Sequence, residues 1–225
     1  MKKITILSFV AALMAAFSFT SCNTGGDSFS LPTLEQQQSM IKMLGNVQEG
    51  GIVYYENKTN TQNVLDTIRN TIAYITTQPN KDKNGNIQNY YGEVSFQFPT
   101  HIISKYVKDE KLAAKIAEME PKTLKVNLIP YVYASQTFIA NSHDLELGDI
   151  TTTDKEYKSV TVKFYNNYNA AGYETKKDNT KYFCFYMQAA IIYEDGKQTD
   201  LLQNYIFNNK PHAPIFKFTT DKKSK

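Results

Sequence analysis

The sequence predicts a mainly β domain, either an antiparallel barrel or a two-sheet β-sandwich, with one or two short helices. Three observations carry this. Several segments alternate apolar and polar residues with period two, the pattern of strands with one buried face. Turn dipeptides that tolerate positive φ fall between such segments. Helical spacing of apolar residues occurs in only two places. The 225 residues are 41% hydrophobic and 21% charged, with mean hydropathy -0.45. That balance excludes a polytopic membrane protein, a collagen and a wholly disordered chain.

In chain order, Lys2 and Lys3 precede an uncharged apolar stretch from Ile4 to Phe19, followed by Thr20-Ser21-Cys22. A short apolar stretch behind a basic start predicts a secretory signal over residues 1–21. It falls short of the ~20 residues of a membrane-spanning helix. Small residues directly before a cysteine resemble the lipobox of bacterial lipoproteins, although Phe19 stands where that box usually has Leu. The resemblance implies cleavage before Cys22 and acylation of Cys22 by palmitate-like chains. The plainer alternative is an ordinary signal cut nearby, with Cys22 unmodified. Residues 22–32, with Gly25, Gly26, Asp27, Ser28 and Ser30, read as a flexible tether, and residues 33–225 as a single domain.

Thr33 to Leu44 reads as the first helix, with Thr33 as cap, Gln36 at the capping-box position and Gly45 as terminator. Strands follow wherever the period changes to two. Val94, Phe96 and Phe98 alternate with Glu93, Ser95 and Gln97; Leu124, Val126 and Leu128 with Lys125 and Asn127; Val160, Val162 and Phe164 with Thr161 and Lys163. Phe183, Phe185, Met187, Ala189 and Ile191 have mostly apolar neighbours, so their strand is expected to be central and covered on both sides. Ile52 to Asn57, Thr67 to Thr76, Leu201 to Asn208 and Ile215 to Thr219 are further strands. Asn84-Gly85 is expected to turn the chain between the Ile72 and Val94 strands. Asp195-Gly196 is expected to join the Cys184 strand to the Leu201–Phe207 strand. Lys108 to Glu120 reads as the second helix, with Leu112, Ile116 and Met119 on one face, Asp109 and Glu110 at its start and Pro121 beyond its end. Two polar stretches, Asn141 to Glu156 and Asn166 to Lys181, read as surface loops.

Charge excludes some partners. Removing residues 1–21 takes Lys2 and Lys3 with them and leaves 23 bases against 22 acids. No field for nucleic acid follows from a near-neutral chain. Arg69 is the only arginine, which argues against bidentate phosphate or carboxylate clamps. With Cys22 acylated, Cys184 has no internal disulfide partner. Its aromatic setting, Tyr182-Phe183-Cys184-Phe185-Tyr186, predicts a buried, inert thiol.

Catalytic chemistry leaves little trace. The sequence has no G-x-S-x-G, H-E-x-x-H, P-loop or glycine-rich dinucleotide motif. The histidines His101, His143 and His212 are far apart, and only His143-Asp144 with Glu146 approaches a cluster, which reads first as a polar loop. His101 is expected to be packed or hydrogen-bonded, and His212 to lie in an edge or turn segment. Carboxylate pairs have no local signature, so the sequence is silent on them. The 16 tyrosines suit outer strand faces first and a ligand face second, with Tyr54, Tyr55, Tyr90, Tyr91, Tyr131, Tyr133, Tyr165, Tyr168 and Tyr173 as its members. Asp66-Thr67-Ile68 resembles a short O-glycosylation acceptor of exported Bacteroidota proteins, although a plain strand position accounts for it as well.

Several of these features together are similar to a family of uncharacterised Bacteroidota lipoproteins of unknown function, some described as calycin-like. The matching features are the helix into Leu44-Gly45, the Gly51-Ile52-Val53-Tyr54-Tyr55 strand, Phe98-Pro99, and the helix with Leu112 and Ile116 leading through Pro121 to the Leu124 strand. A helix followed by a glycine-led strand also opens many lipocalin-like barrels, though the Gly-x-Trp of lipocalins is missing. The resemblance implies a lipocalin-like (calycin-like) barrel on the outer membrane and assigns no catalytic, binding or metal residue. The expected role is a non-enzymatic envelope lipoprotein, a binding or structural module with no cofactor. Its partners would be the membrane, through the lipid on Cys22, and an envelope protein or small ligand. A carrier of a small apolar ligand is the alternative, with a pocket lined by Phe183, Phe185, Val162 and Phe164; a hydrolase ranks below both. Only Asp27 supplies acid close behind Cys22, so the periplasmic side and the cell surface stay equally open.

Overall fold

Eight antiparallel strands close into a barrel because one C-terminal strand pairs on both of its edges. The computed structural model describes residues 31–56, 63–165, 170–175, 180–202, 205–207, 210–212 and 214–220. The elements run α1 (Leu34–Leu44), β1 (Val47–Glu56), β2 (Asn63–Lys81), β3 (Ile87–Phe98), α2 (His101–Ser104), α3 (Glu110–Ala117), β4 (Lys122–Val132), β5 (Thr137–Ser142) and β6 (Leu145–Thr151). Then follow β7 (Glu156–Tyr165), β8 (Ala170–Thr175), β9 (Lys181–Glu194), β10 (Lys197–Gln198), β11 (Tyr205–Phe207), β12 (Lys210–His212) and β13 (Ile215–Thr220). The closed ring is β13-β1-β2-β3-β4-β5-β8-β9, returning to β13. This resolves the choice between barrel and sandwich in favour of a lipocalin-like barrel. Residues Pro32–Lys225 form one compact unit. The expected signal and Cys22 lie outside the described residues.

Strand β9 is the hub. One edge pairs with β8 over Lys181–Phe185 and with β7 over Gln188–Tyr193. The other edge pairs with β13 over Cys184–Gln188. Phe183, Phe185, Met187 and Ala189 point inward as the alternation requires. A register shift opposite Lys163–Phe164 then flips the phase, so Ile192 rather than Ile191 is buried. The outward face is less covered than expected, with Tyr182, Tyr186 and Gln188 only half-buried.

Both ends of the barrel are plugged. Helix α1 begins at the predicted capping box: Gln36 N donates to Thr33 Oγ1 at 3.3 Å and Thr33 N donates to Gln36 Oε1 at 2.9 Å. Gly45 ends it at φ 73°. Its buried face, Met40, Ile41 and Leu44, covers the end where β3 begins, and Tyr90 N donates to Gln37 Oε1 at 2.8 Å. At the other pole, β3 runs directly into α2, whose Ile102 and Ile103 are buried. Asp109 caps α3 by accepting from Leu112 N at 2.9 Å, and Leu112 and Ile116 face the core. Buried Thr100, at the start of α2, donates to the Met119 carbonyl at 2.9 Å just beyond the end of α3 and so ties the two helices together.

Four expectations are corrected. The stretch Asn141 to Glu156 is not a loop: it holds the end of β5 and all of β6, with Leu145, Leu147 and Ile150 buried. Register shifts on both sides of Gly148 break its alternation, which hides the strand in the sequence. The stretch Asn166 to Lys181 contains β8, which completes the ring between β5 and β9. The segment Leu201 to Asn208 is not a strand on β9. Asp195-Gly196 does turn the chain there, at φ 48° and 71°, but only Lys197 and Gln198 pair back. The edge of β9 over Cys184–Gln188 is already taken by β13, so the chain leaves; Leu202 bridges to Val107, and Tyr205–Phe207 pairs with Lys210–His212 in a separate ribbon. His101 is exposed on α2 rather than packed; its carbonyl accepts from Ser104 Oγ at 2.7 Å.

Closure depends on a close backbone approach at Gly50, which pairs with Thr220. A Cβ at Gly50 would overlap the Thr219 carbonyl and adjoining backbone. Gly50→Ala is therefore expected to destabilise the fold by about 2–4 kcal/mol in urea unfolding. Gly85→Ala, in the β2–β3 turn at φ 85° with open space around it, is expected to cost only about 1 kcal/mol.

Candidate functional site

A barrel most often offers its interior as a binding site. Here the interior is occupied by the protein's own rings. Phe185 stacks on Phe218 at 5.0 Å, and Phe96 lies 5.9 Å from Phe185 and 6.0 Å from Phe218. Phe98 meets Phe216 edge-on at 5.4 Å and Phe164 at 6.2 Å. Phe183, Phe185, Val162 and Phe164, the residues expected to line a ligand pocket, are all buried in this cluster. Such ring pairs contribute about 0.5–1.5 kcal/mol each beyond burial, so the cluster holds the barrel together.

One interlinked polar group lies on the outside, where β8, β9 and β13 run side by side. Lys217 pairs with Glu174 across β9. Tyr186 OH donates to Glu174 Oε1 at 2.8 Å, and the Lys217 Nζ sits 5.1 Å from the Tyr186 ring centre. The Lys217 side chain is 11% exposed and that of Glu174 46%. Burial pushes the Glu174 carboxyl up, but hydrogen bonds from Lys217, Tyr186 and Cys184 outweigh it and leave it below the usual range. Burial also opposes the charge on Lys217, and the bond to Glu174 outweighs it, so Lys217 stays above its ordinary value. Burial, then the hydrogen bond to Glu174, pushes Tyr186 up to about 12. Every strong donor and acceptor in this group is engaged by another member. The arrangement works as a clasp between strands.

Cys184 belongs to the same face. It is buried, and burial pushes its thiol up to about 12, as an inert cysteine requires. The His143 cluster does not converge. His143, Asp144 and Glu146 are all exposed, and Asp144 pairs with Lys163 at 3.3 Å. Among the described residues, no three His, Cys, Asp or Glu side chains gather as a cation site. His212 lies in β12, paired with Tyr205, and its side chain is outside the described residues, as are those of Tyr54, Tyr55, Asp66, Thr67 and Tyr168. Of the other tyrosines, Tyr173 packs on Phe183 at 5.7 Å and Tyr90 packs against the core, whereas Tyr133 and Tyr165 are exposed.

A second pairing lies at the α3 pole. Buried Tyr157 on β7 donates from its hydroxyl to Asp109 Oδ2 at 2.7 Å, while Oδ1 caps α3. The capping bond from Leu112, then Tyr157, holds the Asp109 carboxyl below the usual range. Burial, then Asp109, pushes Tyr157 up to about 12. The sequence shows Asp109 at a helix start but gives no sign of its partner 48 residues away.

The sequence profile of a family described as a domain of unknown function (DUF4840) matches residues 42–194. The match runs from the end of α1 through β9 and stops before β13. No curated protein and no solved structure matches the chain.

Two outcomes test these environments. Cys184 is expected to resist alkylation by iodoacetamide in the native protein at pH 8 and to react on unfolding, followed by mass spectrometry. Asp109→Ala is expected to lower stability by about 1 kcal/mol near neutral pH. A depressed carboxyl pKa contributes stability above the unfolded-state value near 4 and loses it as pH falls through the folded value. The difference between Asp109→Ala and wild type in urea unfolding should therefore shrink below about pH 4.

Proposed function

We propose that the chain, which belongs to the DUF4840 family of unknown function, is a non-enzymatic envelope lipoprotein that acts through its outer surface. In this reading Cys22 carries the acyl anchor, residues 22–32 form the tether, and the barrel is a binding or structural module at the outer membrane. The observation that supports it most is the filled, doubly plugged barrel. A carrier needs a chamber, and the side chains that would line one are packed against each other. The Glu174–Tyr186–Lys217 and Tyr157–Asp109 groups are likewise engaged in strand-to-strand and helix-capping contacts. What is left to meet another molecule is the exterior.

The anchor is tested by growing a bacterial host that expresses the full-length precursor with a labelled fatty acid. Label on the wild type, with loss of label and release to the soluble fraction in Cys22→Ala, is the expected result. An unlabelled, soluble wild type would overturn the reading.

A further inference from the structure

Large exposed apolar side chains gather at the α1 pole of the barrel, beside the exposed Glu35, Lys42, Lys81 and Lys83. Leu34 and Met43 on α1, Val47 at the start of β1, Tyr74 paired with it on β2, Ile87 at the start of β3 and Tyr133 in the β4–β5 turn are exposed large apolar or aromatic side chains. Tyr74, Val47 and Met43 are 57%, 49% and 47% exposed. All six lie on elements at the α1 pole. The β4–β5 turn meets α1 directly, since Gln136 Nε2 donates to Met43 Sδ at 3.3 Å. The opposite pole is charged. Lys108–Asp200, Lys111–Asp154, Lys155–Glu194 and Lys158–Asp149 pair there at 2.6–3.4 Å. Among the described residues, α2, α3 and the turns beside them leave no large apolar side chain comparably exposed.

The tether joins the barrel at the apolar pole. From Cys22 to Pro32 the chain has about ten residues and spans at most ~35 Å when fully extended. A ten-residue strand such as β7 is roughly 33 Å long, which at the usual tilt of barrel strands rises about 25 Å along the axis. The charged pole can reach the anchor's membrane only if most of the tether runs along the barrel. The α1 pole reaches it with slack. Exposed aliphatic side chains beside tyrosines suit the boundary between headgroups and acyl chains.

We propose that the α1 pole rests on the lipid surface, with Met43, Val47, Tyr74 and Tyr133 in the headgroup region and the charged pole directed away from it. This rests on the acylation of Cys22 proposed above. It makes the short tether a device that sets orientation as well as attachment.

The sequence contains no tryptophan, so one introduced indole reports on a single place. Met43→Trp and Tyr133→Trp probe the α1 pole, and Ala114→Trp, on the exposed face of α3, probes the other. Each full-length precursor is processed in a bacterial host, checked for wild-type thermal unfolding, and reconstituted into phosphatidylcholine vesicles containing brominated phosphatidylcholine. All three should float with the vesicles. Emission should fall about twofold or more in M43W and Y133W and stay unchanged in A114W. Flotation without quenching at positions 43 and 133, or with equal quenching at 114, overturns the orientation and leaves the anchor standing. Shielding of positions 43 and 133 from aqueous iodide without bromolipid quenching, in a sample of twice the monomer mass, would put a second copy on this pole and also overturn it. Absence of flotation overturns the anchor, and the orientation with it.

Discussion

The fold depends on β13 being held on both edges. Its residues pair with β1 on one side and with β9 on the other, and so join the first strand of the barrel to β9. The strand alternates Phe216 and Phe218 into the core with Lys217 and Thr219 outward. One short segment therefore supplies the closing hydrogen bonds, two of the central rings and the lysine of the outer clasp. Gly50 is the matching concession on β1, since only a residue without Cβ lets the β13 backbone approach that closely. Closure removes the two edges an open sheet would present to other chains.

Closure also decides what the barrel is good for. Eight strands enclose a space that side chains just fill or that holds one small ligand. Here the inward positions of β3, β7, β9 and β13 are phenylalanines in mutual contact, and the helices close both mouths. A lipocalin-like outline therefore does not bring a lipocalin-like cavity with it. The same outline here encloses packed side chains, in keeping with the rule that function resides in sites rather than folds.

What could be read from the sequence follows how local the controlling physics is. The capping box of Thr33 and Gln36, the alternation of β3, β4 and β7, and the Asn84-Gly85 turn are set within a few residues, and the structure has them in place. Strands β6 and β8 were hidden for a common reason: each is short, and its pattern is broken by a bulge, as at Gly148, or by small residues, as in Ala170-Ala171-Gly172. They become strands because long neighbours offer them an edge. The burial of Cys184 was legible from its aromatic neighbours, whereas its place beside Glu174 and Lys217 was not. That group is assembled by register across three strands, and register is a property of the whole ring. Tyr157 with Asp109 is the same case across a strand and a helix.

The outer clasp is best understood from the uneven strength of the ring. Among the described residues, β5 and β8 pair at two positions, Phe138 with Ala171 and Ile139 with Ala170, against nine for β2 with β3. β8 therefore depends on its other neighbour, β9, for five pairs. Glu174 then reaches over β9 to Lys217, so that β8 is tied to β13 as well. A pair this partly exposed adds little in isolation. Its position matters more: with Tyr186 beside both charges, it joins β8 to the strand that closes the ring. The inner rings Phe138, Phe183 and Tyr173 span the same strands from the inside. The seam is thus held by aromatic packing on one face and by a charged clasp on the other, where backbone pairing is thinnest.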